Sequence, residues 1–195
     1  MNYKEKYQQW LDFADPDTKA ELESLTDEKE IEDRFYKDLA FGTGGLRGIM
    51  GAGSNRMNRY TVGKATLGLA NYLKSTGKAD LKVAIAYDSR NNSADFAKTA
   101  AGIFANCGLQ VYLYDRLVPV PVLSFTTRYL HCDAGVMITA SHNPKEYNGY
   151  KVYDGKGCQL CTADAAAALD YINAVDDYNA IPFCSDHANI HPVGD

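Results

Sequence analysis

Between Thr61 and Thr139 the chain alternates short apolar runs with amphipathic stretches, and this alternation restricts the fold more than any other feature. The runs 81–87, 109–114 and 135–139 have the length of buried strands, and the intervening stretches carry apolar residues at helical spacing. Strand, helix, strand, helix, strand is the succession that forms a mostly parallel sheet with helices on its faces. We therefore expect an α/β fold, a layered, mixed but mostly parallel sheet flanked by helices.

Local signals place the other elements around this core. Thr61, Ser93 and Thr162 are typical helix caps, and each precedes an amphipathic stretch. A further strand is expected over 149–153. The first forty residues are polar, with helix starts at Asp15-Pro16 and Thr26-Asp27. We expect a helical N-terminal arm over 1–40 and one domain over 41–195, whose polar end after Ile190 is typical of a domain boundary.

Charge and composition limit the partners. The 195 residues carry a formal net charge of −5, which gives no overall attraction to nucleic acid or to acidic membranes. No apolar stretch is long enough to cross a bilayer, and five cysteines, an odd number, fit a reducing compartment. We expect a cytoplasmic protein without a nucleic-acid or membrane partner. An anionic ligand must then be bound by a local cluster of cations.

A zinc site can be assembled on paper from five residues, namely Cys158, Cys161, Cys184, His187 and His191. The spacings C-x2-C and H-x3-H are those of zinc ligands. An alanine-rich helical stretch separates the two halves, and no other chemical feature points there. We therefore favour free cysteines over zinc.

Polar residues follow two of the predicted strands. Asp88-Ser89-Arg90 comes after 81–87, and Ala-Ser-His-Asn-Pro, 140–144, comes after 135–139. In open parallel sheets, ligands collect beyond the carboxyl ends of the strands, so both segments should border one crevice. The second segment presents Ser141 as an exposed serine, although Asn-Pro and Ser/Thr clusters also form ordinary turns.

A hydrolase serine is disfavoured because G-x-S-x-G is absent and because Ser141 and His142, neighbours on an extended turn, should point apart. A serine that carries a phosphoryl group needs cations instead of a triad. Arg47, Arg90 and Lys151 supply them. Arg47 lies in the glycine-rich stretch 42–48, which either lets backbone amides approach a phosphate or forms a flexible entry to the domain.

Three motifs resemble one family. The stretch T-A-S-H-N-P-K-E-Y-N-G-Y-K-V-Y, 139–153, resembles the phosphoserine loop of the α-D-phosphohexomutases, the phosphoglucomutase and phosphomannomutase superfamily. F-G-T-G-G-L-R-G-I-M-G-A-G-S-N-R-M-N, 41–58, and Y-D-S-R, 87–90, extend the likeness, and the arm around Trp10 is similar to that of bacterial phosphoglucomutases and phosphopentomutases. The resemblance implies an isomerase that moves a phosphoryl group between C1 and C6, or C5, of a sugar phosphate through a bisphosphate intermediate.

The same resemblance implies the site residues. Ser141 corresponds to the serine that is phosphorylated, and Lys151 and Arg47 correspond to basic residues beside the transferred group. The implied catalytic residues are Ser141, Lys151, Arg47 and His142, and the implied substrate or phosphate contacts are Arg90, Asn143, Gly45 and Asp88.

The resemblance also implies Mg²⁺, held by an oxygen of the phosphate on Ser141 and by an aspartate-rich loop of a second domain, with a sugar bisphosphate as activator. This sequence has no D-G-D-x-D-type loop, and Asp176-Asp177 lies in an unrelated setting. We therefore expect the first domain of a longer enzyme, inactive alone, whose partners are the missing C-terminal domains and a hexose or pentose phosphate. A stand-alone, non-catalytic phosphosugar-binding or regulatory module is the alternative.

Overall fold

The computed structural model describes residues 1–42, 44–184 and 186–194. In these ranges the chain forms seven α-helices and seven β-strands. The helices are α1 Tyr3–Phe13, α2 Pro16–Glu23, α3 Glu28–Phe35, α4 Arg59–Ser75, α5 Ser93–Asn106, α6 Val120–Tyr129 and α7 Thr162–Asn173. The strands are β1 Phe41–Gly42, β2 Gly45–Ile49, β3 Lys82–Tyr87, β4 Gln110–Tyr114, β5 Ala134–Ile138, β6 Tyr147–Asp154 and β7 Ile190–Val193.

All seven strands form one sheet in the order β1-β2-β6-β5-β3-β4-β7. The pairs β3–β4, β3–β5 and β4–β7 are parallel, whereas β1–β2, β2–β6 and β5–β6 are antiparallel. Following these pairings across the sheet, five strands run one way, and β1 and β6 run the other. The predicted α/β class, with a mixed but mostly parallel sheet, is confirmed.

Helices cover both faces of the sheet. On one face α4, α5 and α7 bury a large apolar core that contains Leu69, Phe104, Tyr150 and Ile172. On the other face Leu123 of α6 packs in a smaller cluster on the β3–β5 part of the sheet. Strand β5, between β6 and β3, is buried at every position. Strands β3 and β5 therefore end side by side in the interior of the sheet.

The N-terminal arm consists of three helices that share one aromatic core with the body. Asp15 and Asp27 cap α2 and α3, as the sequence predicts. Trp10 is 1% exposed and lies edge-on to Phe35 and Tyr60. Because Tyr60 belongs to α4, the arm is packed onto the domain. The division at residue 40 stays a prediction.

Three predicted caps are wrong by one to three positions. Asn58, not Thr61, caps α4, and Thr61 is its capping-box partner at the third helical position. Asn92 and Cys161 precede α5 and α7, so Ser93 and Thr162 are the first helical residues. In α4 both residues can accept from backbone amides, and the sequence alone does not say which one leaves the helix.

Two segments carry strands that the sequence did not reveal. The glycine-rich stretch forms β1 and β2, and β2 pairs along its length with β6. The interpretation of this stretch as a flexible entry to the domain is therefore wrong. The end of the chain, expected to be a polar boundary, contains β7, which pairs with β4. Glycine and proline weaken strand propensity, but tertiary pairing overrides it here.

Across the described ranges, no helix is both long and apolar enough to span a membrane.

Candidate functional site

The segment after β5, residues 139–147, is here called the serine loop. Its backbone turns back on itself, since Asn143 N–H donates to Ala140 O at 3.1 Å and Tyr147 N–H donates to Pro144 O at 3.0 Å. Ser141 has a φ of 58°, in the left-handed region that residues with a side chain rarely adopt. The N–H of Ser141 donates to Thr139 Oγ1 at 3.0 Å, and Ser141 is exposed. The loop thus presents one serine to solvent in a constrained backbone.

The loop after β3 lies against the serine loop. Asp88 N–H donates to Ile138 O of β5 at 3.2 Å. Asp88 Oδ1 accepts from Arg90 N–H at 3.0 Å and from Ser93 Oγ at 2.9 Å, the latter at the start of α5. The prediction that both strand ends border one crevice is confirmed.

Arg90 is placed differently from its predicted contact with phosphate. Its two terminal nitrogens donate to four carbonyl oxygens of the serine loop, namely those of Ser141, Asn143, Pro144 and Tyr147, at 2.7 to 3.0 Å. Its side chain is only 14% exposed. In this structure Arg90 binds the loop backbone, and its contact with phosphate stays a prediction.

His142 is closer to Ser141 than predicted. Ser141 Oγ lies 3.5 Å from His142 Nδ1, whereas an extended turn would separate the two side chains. The prediction is wrong because the left-handed φ of Ser141 turns consecutive side chains toward each other. Within the described ranges no carboxylate pairs with His142, so the contact has no third member of a triad.

Arg47 and Lys151 share one face of the sheet. Leu46 and Tyr150 point into the large core, so alternation sends Arg47 of β2 and Lys151 of β6 to the opposite face. Arg47 pairs with Gly149 and Gly45 pairs with Lys151, which makes the two cations diagonal neighbours. A side chain at Gly45 would collide with the Tyr150 carbonyl, so only glycine allows β2 this close to β6.

The electrostatic environment of Lys151 follows from these neighbours. Burial, and after it the Arg47 guanidinium, lower the pKa of Lys151 from its ordinary value, while the Asp88 carboxylate acts in the opposite direction. A lysine with a lowered pKa gives up its proton more readily than a solvated one. The effect of Asp88 also links Lys151 to the crevice beside Ser141.

Seven of the eight predicted site residues line two depressions. A depression of about 390 Å³ is lined by Asp88, Arg90, Ser141 and Asn143, and by three residues that sequence reasoning did not select, Ser89, Asn91 and Lys145. A second depression, of about 260 Å³, is lined by Gly45, Arg47 and Lys151, together with Gly44 and Gln159. His142 contacts Ser141 but lines neither depression.

One buried amide was also missed by sequence reasoning. Asn148 is fully buried, and its Nδ2 donates to Asn91 O at 2.9 Å and to Ser93 Oγ at 3.0 Å. It thereby ties β6 to the loop after β3. The available signal was the Asn-Gly pair at 148–149, where the predicted strand 149–153 begins.

The described residues do not fit a complete magnesium site. Nowhere in the described chain do three or more His, Cys, Asp or Glu side chains gather closely enough to hold a metal ion. The same applies to the described cysteines and histidines from which a zinc site could be assembled on paper. The carboxylate beside the serine loop, Asp88, is already an acceptor for Arg90 and Ser93.

The comparisons with known proteins agree with one another. The family model for phosphoglucomutase/phosphomannomutase, alpha/beta/alpha domain I, matches residues 38–179. A phosphoglucomutase of Staphylococcus epidermidis (strain ATCC 12228) is 45% identical over 164 residues, which is 84% of this chain and 30% of that protein. A phosphoglucomutase of Staphylococcus aureus (strain USA300) is 41% identical over 168 residues, again 30% of its length.

A solved structure gives the same assignment. The crystal structure assigned as a phosphomannomutase from Thermus thermophilus superposes with a TM-score of 0.68 at 28% identity, over 81% of this chain and 33% of that one. The chain thus spans about a third of the length of the relatives that it matches. The matches confirm the resemblance of the serine loop, and the chain belongs to the phosphoglucomutase/phosphomannomutase family, as its alpha/beta/alpha domain I.

Proposed function

We propose that this chain is the phosphoserine-bearing domain of a cytoplasmic phosphosugar mutase, in which Ser141 carries the phosphoryl group that moves between C1 and C6, or C5, of the sugar. The observation that carries the proposal is the exposed Ser141 in a constrained loop of a family domain. Ser141 accepts a phosphoryl group from a sugar bisphosphate and donates it to a sugar monophosphate.

The arrangement of charge supports this chemistry. A phosphoserine carries nearly two negative charges, which must be offset before an anionic sugar phosphate approaches. Arg47 and Lys151 face the same side of the sheet and line one depression. Arg47 binds a phosphoryl oxygen as a permanent cation, and Lys151, with its lowered pKa, exchanges a proton with the sugar hydroxyl.

Asn143 lines the same depression as Ser141, and in this proposal it contacts the bound substrate. Its buried Oδ1 has no hydrogen-bond partner among the described residues. In the same proposal His142, at 3.5 Å from the Ser141 hydroxyl, acts on the proton of that hydroxyl.

The proposal includes an incomplete site. The described residues offer no carboxylate set for Mg²⁺, and the chain spans 30% of its phosphoglucomutase relatives. The metal ligands and the loops that select the sugar then come from the rest of a family-length protein, and this chain alone has no turnover. A coupled phosphoglucomutase assay with Mg²⁺ and glucose 1,6-bisphosphate tests this, and turnover by the isolated chain would contradict it.

A chimera tests the function of the domain. The matching segment of the Staphylococcus epidermidis phosphoglucomutase, 45% identical, is replaced by that of this chain. We expect the chimera to convert glucose 1-phosphate, and we expect Ser141→Ala to lower kcat by at least about a thousandfold, since the variant lacks the hydroxyl that accepts the phosphoryl group at this position of the serine loop. Ser89→Ala is the matched control, because Ser89 lines the same depression. Equal losses in the two variants, or retained activity after Ser141→Ala, would refute the role of Ser141.

A further inference from the structure

One arginine holds the serine loop through four backbone carbonyls. We propose that Arg90 is a positioning residue, which fixes the backbone around Ser141, and that it does not bind the phosphate of the substrate. The inference rests on the proposed function, since it assigns Arg90 a role in the same site. It replaces the phosphate contact that the Y-D-S-R motif suggests.

The first support is the use of the donors. A guanidinium has five N–H groups, four of them on the terminal nitrogens. Nη1 donates to Pro144 O and Tyr147 O, both at 3.0 Å, and Nη2 donates to Ser141 O at 2.8 Å and Asn143 O at 2.7 Å. Nε lies 3.6 Å from Asp88 Oδ2. A phosphate could reach the terminal nitrogens only by displacing their four hydrogen bonds.

The second support is the strain of the loop. Four carbonyl dipoles that converge on one point repel each other, and a largely shielded cation offsets that repulsion. Ser141 also holds a left-handed φ of 58°, which persists only where surrounding contacts impose it. Arg90 contacts the carbonyl of Ser141 itself. It is therefore placed to impose this conformation on the reacting residue.

The third support is a scaffold that fixes Arg90. Asp88 Oδ1 accepts from the Arg90 N–H and from Ser93 Oγ, and Asn148 Nδ2 donates to the same Ser93 Oγ at 3.0 Å. Asn148 is fully buried and Ser93 is 1% exposed. The backbone of Arg90 is thus tied, through the Asp88 carboxylate and Ser93, to the loop after β3, to α5 and to β6, and the guanidinium reaches the serine loop from this fixed base. Such an anchor suits a residue that orients others.

Hydrogen exchange of this chain tests the positioning role. Arg90→Met keeps the apolar stem and removes the donors. We expect the amides of Asn143 and Tyr147 to exchange at least about tenfold faster, which corresponds to the loss of one charge-assisted hydrogen bond. Arg90→Lys should restore little protection, because an ammonium cannot reach four carbonyls as a planar fork. The matched control is Arg128→Met, on α6, outside both depressions.

Unchanged exchange in the serine loop of Arg90→Met or Arg90→Lys would overturn the inference. If Arg90→Met does not fold, Arg90→Lys decides alone, with exchange in α4 as its measure of global folding. A second readout uses wild-type protein, in which the Arg90 Nε–H resonance should stay fixed as inorganic phosphate is added. A saturable shift would assign phosphate binding to Arg90. Neither readout involves phosphoryl transfer, so a failure of the proposed function in the chimera is distinguishable from a failure of this inference.

Discussion

Gly149 lies where β6 contacts both β2 and the start of the serine loop, and its replacement by alanine gives the sharpest structural prediction. It lies on β6 opposite Arg47 of β2, and its carbonyl accepts from Thr139 N–H at 3.0 Å. A Cβ at this position would lie 2.6 Å from Thr139 O and 2.9 Å from Leu46 O. Both neighbours are backbone oxygens, one in β2 and one in a residue that is hydrogen-bonded to Gly149 itself, so neither can turn aside as a side chain would.

The cost follows from this double contact. Overpacking a well-packed interior by one methyl group destabilises by about 1–3 kcal/mol, and we expect a value near the middle, about 2 kcal/mol, because β2 lies toward an edge of the sheet and can shift. At about 2–4 °C per kcal/mol for a chain of this size, Tm should fall by about 4–8 °C. The shift should also move Arg47 away from Gly149 of β6.

Thermal unfolding followed by circular dichroism measures the change. Gly42→Ala on β1 is the matched control, because a Cβ there would meet only Gly45 O at 3.9 Å, an ordinary contact. We expect the control to stay within about 0.5 kcal/mol of the wild type. If Gly149→Ala were as stable as Gly42→Ala, the close approach of β2, β6 and the serine loop described here would be refuted.

Three further predictions concern the arm and the charges. Trp10→Ala should lower the free energy of unfolding, measured by urea titration, by about 3–5 kcal/mol, whereas the exposed Tyr36→Ala should change it little. A small effect of Trp10→Ala would show that the arm is not part of the cooperative core. Arg47→Gln should raise the pKa of Lys151 in an NMR titration, because a neighbouring positive charge is removed, whereas Arg59→Gln should leave it unchanged. An unchanged pKa of Lys151 in Arg47→Gln would refute the electrostatic coupling between Arg47 and Lys151. Burial opposes ionisation of Asp15, but hydrogen bonds from Thr18 and Tyr60 outweigh it and lower its pKa, so its stabilisation is present above about pH 4 and is lost as the pH falls through the lowered value. Asp15→Asn should therefore cost stability at neutral pH and flatten the acid limb of the stability curve, and an unaltered acid limb would contradict this.

The sheet could be predicted from sequence where its strands are apolar. Residues 81–87, with four consecutive buried positions in β3, gave an unmistakable pattern. The hairpin of β1 and β2 could not be read, because its glycines are selected by contact with β6, a partner about a hundred residues away. The need for glycine at position 45 is explained only by its contact with the Tyr150 carbonyl oxygen. Long-range pairing, not local propensity, decides that part of the fold.

The site shows the same division. Ser141 and Lys151 could be chosen from the motif that contains both. The role of Arg90 could not, since the sequence reveals a cation near a strand end and not the four carbonyls that it contacts. The proximity of Ser141 and His142 was also mispredicted, because a left-handed φ at a serine has no sequence signal. Backbone conformation, rather than residue type, limits what the sequence can tell here.

The location of the phosphoryl group tests the central claim most directly. The chimera is incubated with glucose 1,6-bisphosphate and Mg²⁺, digested with trypsin and mapped by mass spectrometry. The peptide 129–145 contains Ser141 as its only serine, with Thr139 and Tyr129 as its other hydroxyl residues. We predict one phosphoryl group on this peptide, at Ser141, and its loss when excess glucose 1-phosphate is added. A phosphoryl group at another residue, or turnover by the chimera with Ser141 never modified, would contradict the account.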